Sequence, residues 1–216
     1  IKPKKIMSSV IKNLKWRYAT KKFDASKKID QEDLEALLEG VQLSASSYGL
    51  QPYQIFVIEN PEIREKLKSA AWDQTQLTDA SQVIVFANHK KLDEAYVDDY
   101  IKNIAETRNM SVEDLQGMAD MIKNTTLKME ADQQNEWAQK QSYLALGFLL
   151  NTAAHLKIDV CPMEGFSAED FDKILGLEEK GLHTAVIACI GYRSEEDDYQ
   201  HATKVRKSTQ DLFHFI

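Results

Sequence analysis

Residues 136–166 constrain this chain more than any other stretch. They read Glu-Trp-Ala-Gln-Lys-Gln-Ser-Tyr, then Leu-Ala-Leu-Gly-Phe-Leu-Leu-Asn-Thr-Ala-Ala-His-Leu, then Lys-Ile-Asp-Val-Cys-Pro-Met-Glu-Gly-Phe. Apolar side chains at Tyr143, Leu144, Leu146, Phe148, Leu149, Leu150, Ala153, Ala154 and Leu156 leave little polar face. That pattern predicts a buried helix rather than an amphipathic surface helix. Gln141, Ser142, Asn151 and His155 interrupt the run, which argues against a membrane span. A short strand signal follows at 158–161 and is expected to stop at Pro162. Pro162 has no amide donor and Gly165 permits close approach of other atoms. The Pro162-Met163-Glu164-Gly165 turn would then leave amides free to face a ligand. The same residues also suit an ordinary strand-to-helix turn.

The 216 residues are 43% hydrophobic, enough for one sizeable core, as a single domain or as half of an obligate dimer. A formal charge of −7 argues against a nucleic-acid partner. Cys161 and Cys189 both sit in apolar, strand-like runs, which suits reduced, buried thiols. Ile1-Lys2-Pro3-Lys4-Lys5 is basic, but no apolar region of the signal-peptide kind follows it. The expectation is a soluble cytoplasmic protein.

In chain order, Ile6, Val10, Ile11 and Leu14 predict a helix over 5–17, running into a basic cluster at 17–23. Asp30 is a candidate N-cap for a helix ending near Leu43, with Leu34, Leu37, Leu38 and Val41 on one face. A loop follows at 44–52, a strand at 53–58, and a helix opened by Asn60-Pro61 and ending near Ala71. The apolar run 82–87 predicts a central strand. Residues 90–135 are polar and helical by pattern, an excursion packed either on the body or over a site. Ser167 and Asp170 start a short helix that Gly176 ends, and 184–190 is another apolar strand. The tail from Arg193 is polar until Leu212, Phe213, Phe215 and Ile216. These elements predict one domain over 1–216, of class α+β or three-layer α/β/α, with a helical excursion at about 90–135.

Familiar catalytic signatures are missing. The eight glycines form no G-x-G pair, and the five histidines show no metal-ligand spacing. No metal site is expected. Two basic clusters remain. Arg17 and Lys21 lie four apart at a helix end, and Lys204 and Arg206 two apart in the tail. Either alone is an ordinary surface cluster. Together they suit a phosphate clamp, because an Arg fork with Lys point charges matches a phosphate.

Taken together and in order, the marks resemble the FMN-dependent nitroreductase family over 14–206. They are Arg17 to Lys21 with Phe23, Ser44-x-Ser46-Ser47-x-x-x-Gln51-Pro52, Thr78-Asp79-Ala80-Ser81 before an apolar strand, Glu136-Trp137 with Lys140-Gln141 and Tyr143, Pro162-x-Glu164-Gly165-Phe166, and Lys204-x-Arg206. The resemblance implies a mainly antiparallel sheet flanked by helices, in an intertwined homodimer embraced by the tail at about 193–216, with two FMN sites at the subunit interface. By position, Arg17, Lys204 and Arg206 would hold the FMN phosphate, with Tyr18 and Ala19 in the same segment. Lys21 would sit near the pyrimidine edge. Ser46, Ser47 and Gly49 would reach in from the partner. Pro162, Met163, Glu164 and Gly165 would line the flavin face, the Glu164 amide donating to N5.

Ala19 stands where many members have Ser, and Asp73 and Gln76 where relatives often carry Asn and Lys. A carboxylate near the flavin edge disfavours an anionic reduced flavin, and loss of a Lys acts the same way. Trp72 stands where relatives have an aromatic residue near the substrate, and 107–130 corresponds to variable, substrate-facing helices. The implied activity is ping-pong hydride transfer from NADH or NADPH through FMN to a small-molecule acceptor such as a nitroaromatic or quinone. The alternatives are a flavin or dihydropteridine reductase of the same fold, and a non-catalytic FMN-binding dimer. A bound flavin would let a chain without a dinucleotide fingerprint use a nicotinamide donor.

Overall fold

The structure, a computed structural model, describes the backbone of residues 4–216 and the side chains from residue 9 onward. Ile1, Lys2, Pro3 and the side chains of Lys4, Lys5 and Ile6, named above, lie outside the described residues.

Helix α1 (Lys4–Trp16) is followed by α2 (Gln31–Gln42), whose N-terminus Asp30 caps by accepting from the Asp33 amide at 2.8 Å. Strand β1 (Tyr53–Ile58) leads into α3 (Pro61–Ser69), where Asn60 caps and Pro61 takes the first helical position. The short α4 (Gln76–Asp79) precedes β2 (Gln82–His89). The excursion holds α5 (Glu94–Arg108) and α6 (Gln116–Thr126). Then come α7 (Ala131–Leu156), β3 (Asp159–Met163), α8 (Ala168–Leu175), β4 (Leu182–Gly191) and, in the tail, α9 (Thr209–Leu212).

Among the described residues, four strands form one antiparallel sheet in the order β1-β2-β4-β3. Alternate residues of β2 face opposite sides. Ile84 and Phe86 pack with Leu37 and Val41 of α2 and with Leu149 and Ala153 of α7. Val83 and Val85 pack with Leu67, Leu77 and Phe171, from α3, α4 and α8. Both faces of the sheet are therefore covered, which is why its central strands read as unbroken apolar runs. The architecture is the expected α/β/α sandwich. Gly40 allows α2 to approach α7, since a Cβ there would lie 2.5 Å from the Thr152 hydroxyl oxygen. Leu37 is fully buried at this contact, so Leu37→Ala would cost about 2–5 kcal/mol.

Two sequence expectations need correction. β3 does not stop at Pro162. It continues through Met163, with Pro162 opposite Ala188 and Met163 opposite Ile187. The Val160 carbonyl accepts from the Thr20 amide, so Val160 and, by strand parity, Pro162 turn their backbone groups away from β4. A proline costs the sheet no hydrogen bond on that outer side. Second, α7 is not buried all round. Gln141, Ser142, Ala145, Leu146 and Leu149 are buried, whereas Leu144 is 46% and Phe148 38% exposed. The mostly apolar pattern thus combines a core face with an apolar face turned outward.

The excursion has a small core of its own, in which Val97, Ile101 and Ile122 pack on Leu50 of the preceding loop. The Tyr100 hydroxyl donates to the Tyr48 carbonyl at 2.6 Å and the Tyr96 hydroxyl to the Gln51 carbonyl at 2.8 Å. α5 therefore fixes the loop containing Ser46, Ser47 and Gly49.

Candidate functional site

The basic segment after α1 is laid along the outer edge of β3. Ala19 bridges Val160, and Phe23 bridges Arg193. The Asp24 amide donates to Tyr192 and the Ser194 amide to Lys22, at 2.8 and 2.9 Å. Two buried carboxylates hold this arrangement. Asp197 accepts from the Lys21 amide at 2.7 Å, the Tyr18 hydroxyl at 2.8 Å and the Lys22 and Tyr199 amides at 3.1 Å. Burial works to raise its pKa, but these donors outweigh it and the net shift is downward. The Tyr18 hydroxyl moves up, through burial first and then its bond to Asp197. Asp159 takes the Arg193 amide and Nε, both at 2.9 Å, and Nη2 at 2.5 Å. The Arg193 guanidinium lies 4.3 Å from the Trp16 ring centroid and 4.6 Å from that of Tyr18. Sequence reasoning missed both aspartates.

Lys204 and Arg206 come from the tail to the same corner as Arg17. Arg17 is lowered in pKa by burial and by the Arg206 charge. Lys204 is lowered by burial and by Arg17, Arg206 and Arg193. Among the described residues, no carboxylate forms an ion pair with Arg17, Lys204 or Arg206. Three cations thus share one space against their mutual repulsion, in a chain with net charge −7. Such a group is complementary to a multiply charged anion. The positive charge of Lys21 reaches the other side of this segment, where it partly offsets the upward push of burial on the Cys161 thiol.

At the end of β3 the outward parity passes from Pro162 to Glu164. The backbone amides of Glu164 and Gly165 donate to no partner among the described residues, whereas the Phe166 amide bonds the Glu164 carbonyl at 3.0 Å. The Glu164 carboxylate accepts from the Tyr143 hydroxyl of α7 at 2.6 Å. Burial and this bond push the Tyr143 pKa up to about 12. Met163 contributes backbone only, because its side chain is buried and its sulfur lies 3.7 Å from the Cys189 thiol. Trp72 stands beside Gly165 and is 70% exposed, while Asp73 is exposed on the same turn. Gln76 begins α4 just beyond.

The Ser46, Ser47 and Gly49 loop is not part of this assembly within one chain. The Ser47 amide bonds the Gln141 side chain at 2.8 Å, whereas Tyr143 bonds Glu164. Two residues apart on a helix means about 200° of rotation, so loop and turn lie on opposite flanks of α7. A cavity of about 880 Å³ is also elsewhere. It runs beside the open edge of β1, lined by Leu38, Leu50, Tyr53, Ile55, Val57 and Tyr100 among others. Among the described residues, no helix is long and apolar enough to cross a membrane.

Cations without carboxylate partners suit a phosphate, and amides without acceptors suit a hydrogen-bond acceptor on a ligand. The family model described as "Nitroreductase family" matches residues 14–192. YfkO of Bacillus subtilis, provisionally named an NAD(P)H nitroreductase, is 34% identical over 222 residues, covering 98% of this chain and 99% of that protein. A Staphylococcus saprophyticus protein of the same provisional name is 33% identical over 219 residues, covering 98% of each. A crystal structure of a provisionally named nitroreductase from Bacillus subtilis superposes with a TM-score of 0.87 at 21% identity, covering 97% of this chain and all 100% of that one. Another, from Exiguobacterium sibiricum in complex with FMN, has a TM-score of 0.83 at 20% identity, over 96% of this chain and 97% of that one. The chain belongs to the nitroreductase family of oxidoreductases.

Proposed function

We propose that this protein is an FMN-dependent oxidoreductase that passes a hydride from NADH or NADPH to a small-molecule acceptor such as a nitroaromatic or quinone. The observation that carries this reading is the convergence of Arg17, Lys204 and Arg206 without carboxylate partners. The NAD(P)H nitroreductase names of YfkO and its relative, and the FMN complex of the structural neighbour, support it.

Bound FMN would supply hydride acceptance and donation at N5. Arg17, Lys204 and Arg206 would neutralise the phosphate, and Lys21 would sit toward the pyrimidine edge. The Glu164 amide would donate a hydrogen bond to N5, and Pro162 and Gly165 would border the ring. Trp72 would flank the space that nicotinamide and acceptor occupy in turn, which is the ping-pong order.

The same reading needs a second copy of the chain. Ser46, Ser47 and Gly49 lie on the wrong flank of α7 to reach the turn of their own subunit. Ile11, Leu14, Leu144 and Phe148 are exposed on α1 and α7, and Leu212, Phe213, Phe215 and Ile216 on the tail. Apolar surface of this extent fits an interface. We assign the cavity beside β1 to the partner's tail, which would cover an otherwise open sheet edge.

The test is incubation of purified protein with FMN, followed by removal of free flavin and assay of nicotinamide oxidation. About one FMN retained per chain with turnover of quinone or nitrofurazone is expected. Protein that retains no flavin overturns the reading. Preference for free flavin or a quinonoid dihydropterin would assign a reductase of those substrates instead. Retained flavin without turnover would assign a binding protein.

A further inference from the structure

Trp72 and Asp73 are consecutive non-glycine residues in the left-handed region, with φ of 55° and 57°. That backbone is disfavoured for side chains other than glycine, more for Trp than for Asp, so the surroundings help to hold it. The Asp73 amide donates to Lys68 at 3.0 Å. The Gln74 side-chain amide does more. Its Nε2 donates to the Ala71 carbonyl at 3.0 Å, closing the strained turn, and to the Gly165 carbonyl at 2.8 Å, across to the end of β3. The Ser167 amide donates to Ala70 at 2.8 Å and completes the join. The Trp72 ring is held down on Gly165, where a Cβ would lie 2.8 Å from one ring carbon and 3.3 Å from the next. The indole is nonetheless 70% exposed, so much of it remains open to solvent.

We propose that Gln74 is a positioning residue that fixes Trp72 as a flat stacking wall beside the 162–165 turn, and that Gly165 and Gln74 together set acceptor preference toward planar aromatic molecules. The stacking part rests on the functional reading above; the clamp itself does not. Both Nε2 hydrogens of Gln74 are used on carbonyl oxygens. Gln74→Glu would set a carboxylate against two acceptors, and Gln74→Ala would cut the link to the Gly165 carbonyl while the Ala71 carbonyl keeps the residue-74 backbone amide at 3.2 Å. Gly165→Ala would push the ring outward and also press on the clamp, since its Cβ would lie 3.3 Å from the Gln74 Nε2.

The test has two parts. In the protein as purified, Trp72 emission and its quenching by acrylamide are taken as the difference between each variant and the same variant carrying Trp72→Phe. Gln74→Ala and Gln74→Glu should both raise quenching of Trp72. Unchanged emission and quenching in both variants overturn the clamp, whatever the protein catalyses. In the flavin-loaded enzyme, KM for menadione should rise about three- to tenfold in Gln74→Ala and in Gly165→Ala, the range of one aromatic contact. In Gln74→Ala, the KM for ferricyanide, which does not stack, and the kcat at saturating menadione should stay within about twofold of wild type. Equal KM changes for menadione and ferricyanide overturn the specificity role and leave Gln74 structural. Loss of flavin binding in wild type instead overturns the functional reading, and the emission measurement then judges the clamp by itself.

Discussion

Removing the Arg206 guanidinium takes one cation from a space that Arg17 and Lys204 also occupy. In the proposed site this weakens FMN binding about tenfold or more, since a hydrogen bond to a charged group contributes about 1.5–3 kcal/mol. The flavin-free Arg206→Ala protein has less repulsion to bear, so its melting temperature should match or exceed that of wild type. Its rise on adding FMN should be smaller. Fluorescence titration and thermal melts with and without FMN check both signs; equal dissociation constants would remove Arg206 from the clamp. Asp197 makes a separate prediction. Its folded pKa is depressed, so its contribution is complete above the unfolded aspartate value of about 3.9 and is lost as pH falls through the lower folded value. Asp197→Asn should therefore destabilise the protein near neutrality, and the loss should shrink as the pH falls below about 4, as denaturant midpoints across that range would record. The grouping of Arg17 with Lys204 and Arg206 was legible because basic clusters stand out in an acidic chain. Asp197 was not, because it is one of four successive acids from Glu195 to Asp198, and only its distant partners, backbone amides and the Tyr18 hydroxyl, distinguish it. Gln74 was hidden for the same reason: an amide that bonds two carbonyls leaves no periodic trace.

Among the elements, β1 ran over the residues its pattern predicted, and the N-caps at Asp30, Asn60 and Ser167 were readable from single residues. The end of β3 was not, because proline breaks ladders only when its nitrogen points at a neighbouring strand, and sequence does not say which way it points. The outward face of α7 was equally hidden. Periodicity registers apolarity, and a helix with a core face on one side and an exposed apolar face on the other, which the proposed dimer would cover, reads like a core helix. The tail element, with Phe215 96% exposed, belongs to that second covering in the proposed dimer. Deleting residues 208–216 leaves Lys204 and Arg206 in place while removing α9 and the terminal aromatics. The truncated protein should sediment as a weaker dimer or a monomer and bind more of a hydrophobic dye than the full chain. An unchanged dimer constant would place the interface elsewhere.

At the scale of the whole molecule, both faces of the sheet are covered by the chain's own helices, and β1 ends in an open edge beside the 880 Å³ cavity. The tail carries two functions of the proposed assembly within fifteen residues of one another. Lys204 and Arg206 lie against Arg17 of the same chain, and Leu212, Phe213, Phe215 and Ile216 reach beyond it. A tail seated on a partner cannot withdraw freely while its root is fastened to a bound anion. Cofactor residence and subunit exchange then become one kinetic event. Two differently labelled populations, mixed without FMN, should form hybrid dimers readily. Saturated with FMN, they should scramble only as fast as flavin escapes, so the lifetime of a dimer as a pair would be set by the smallest molecule in it.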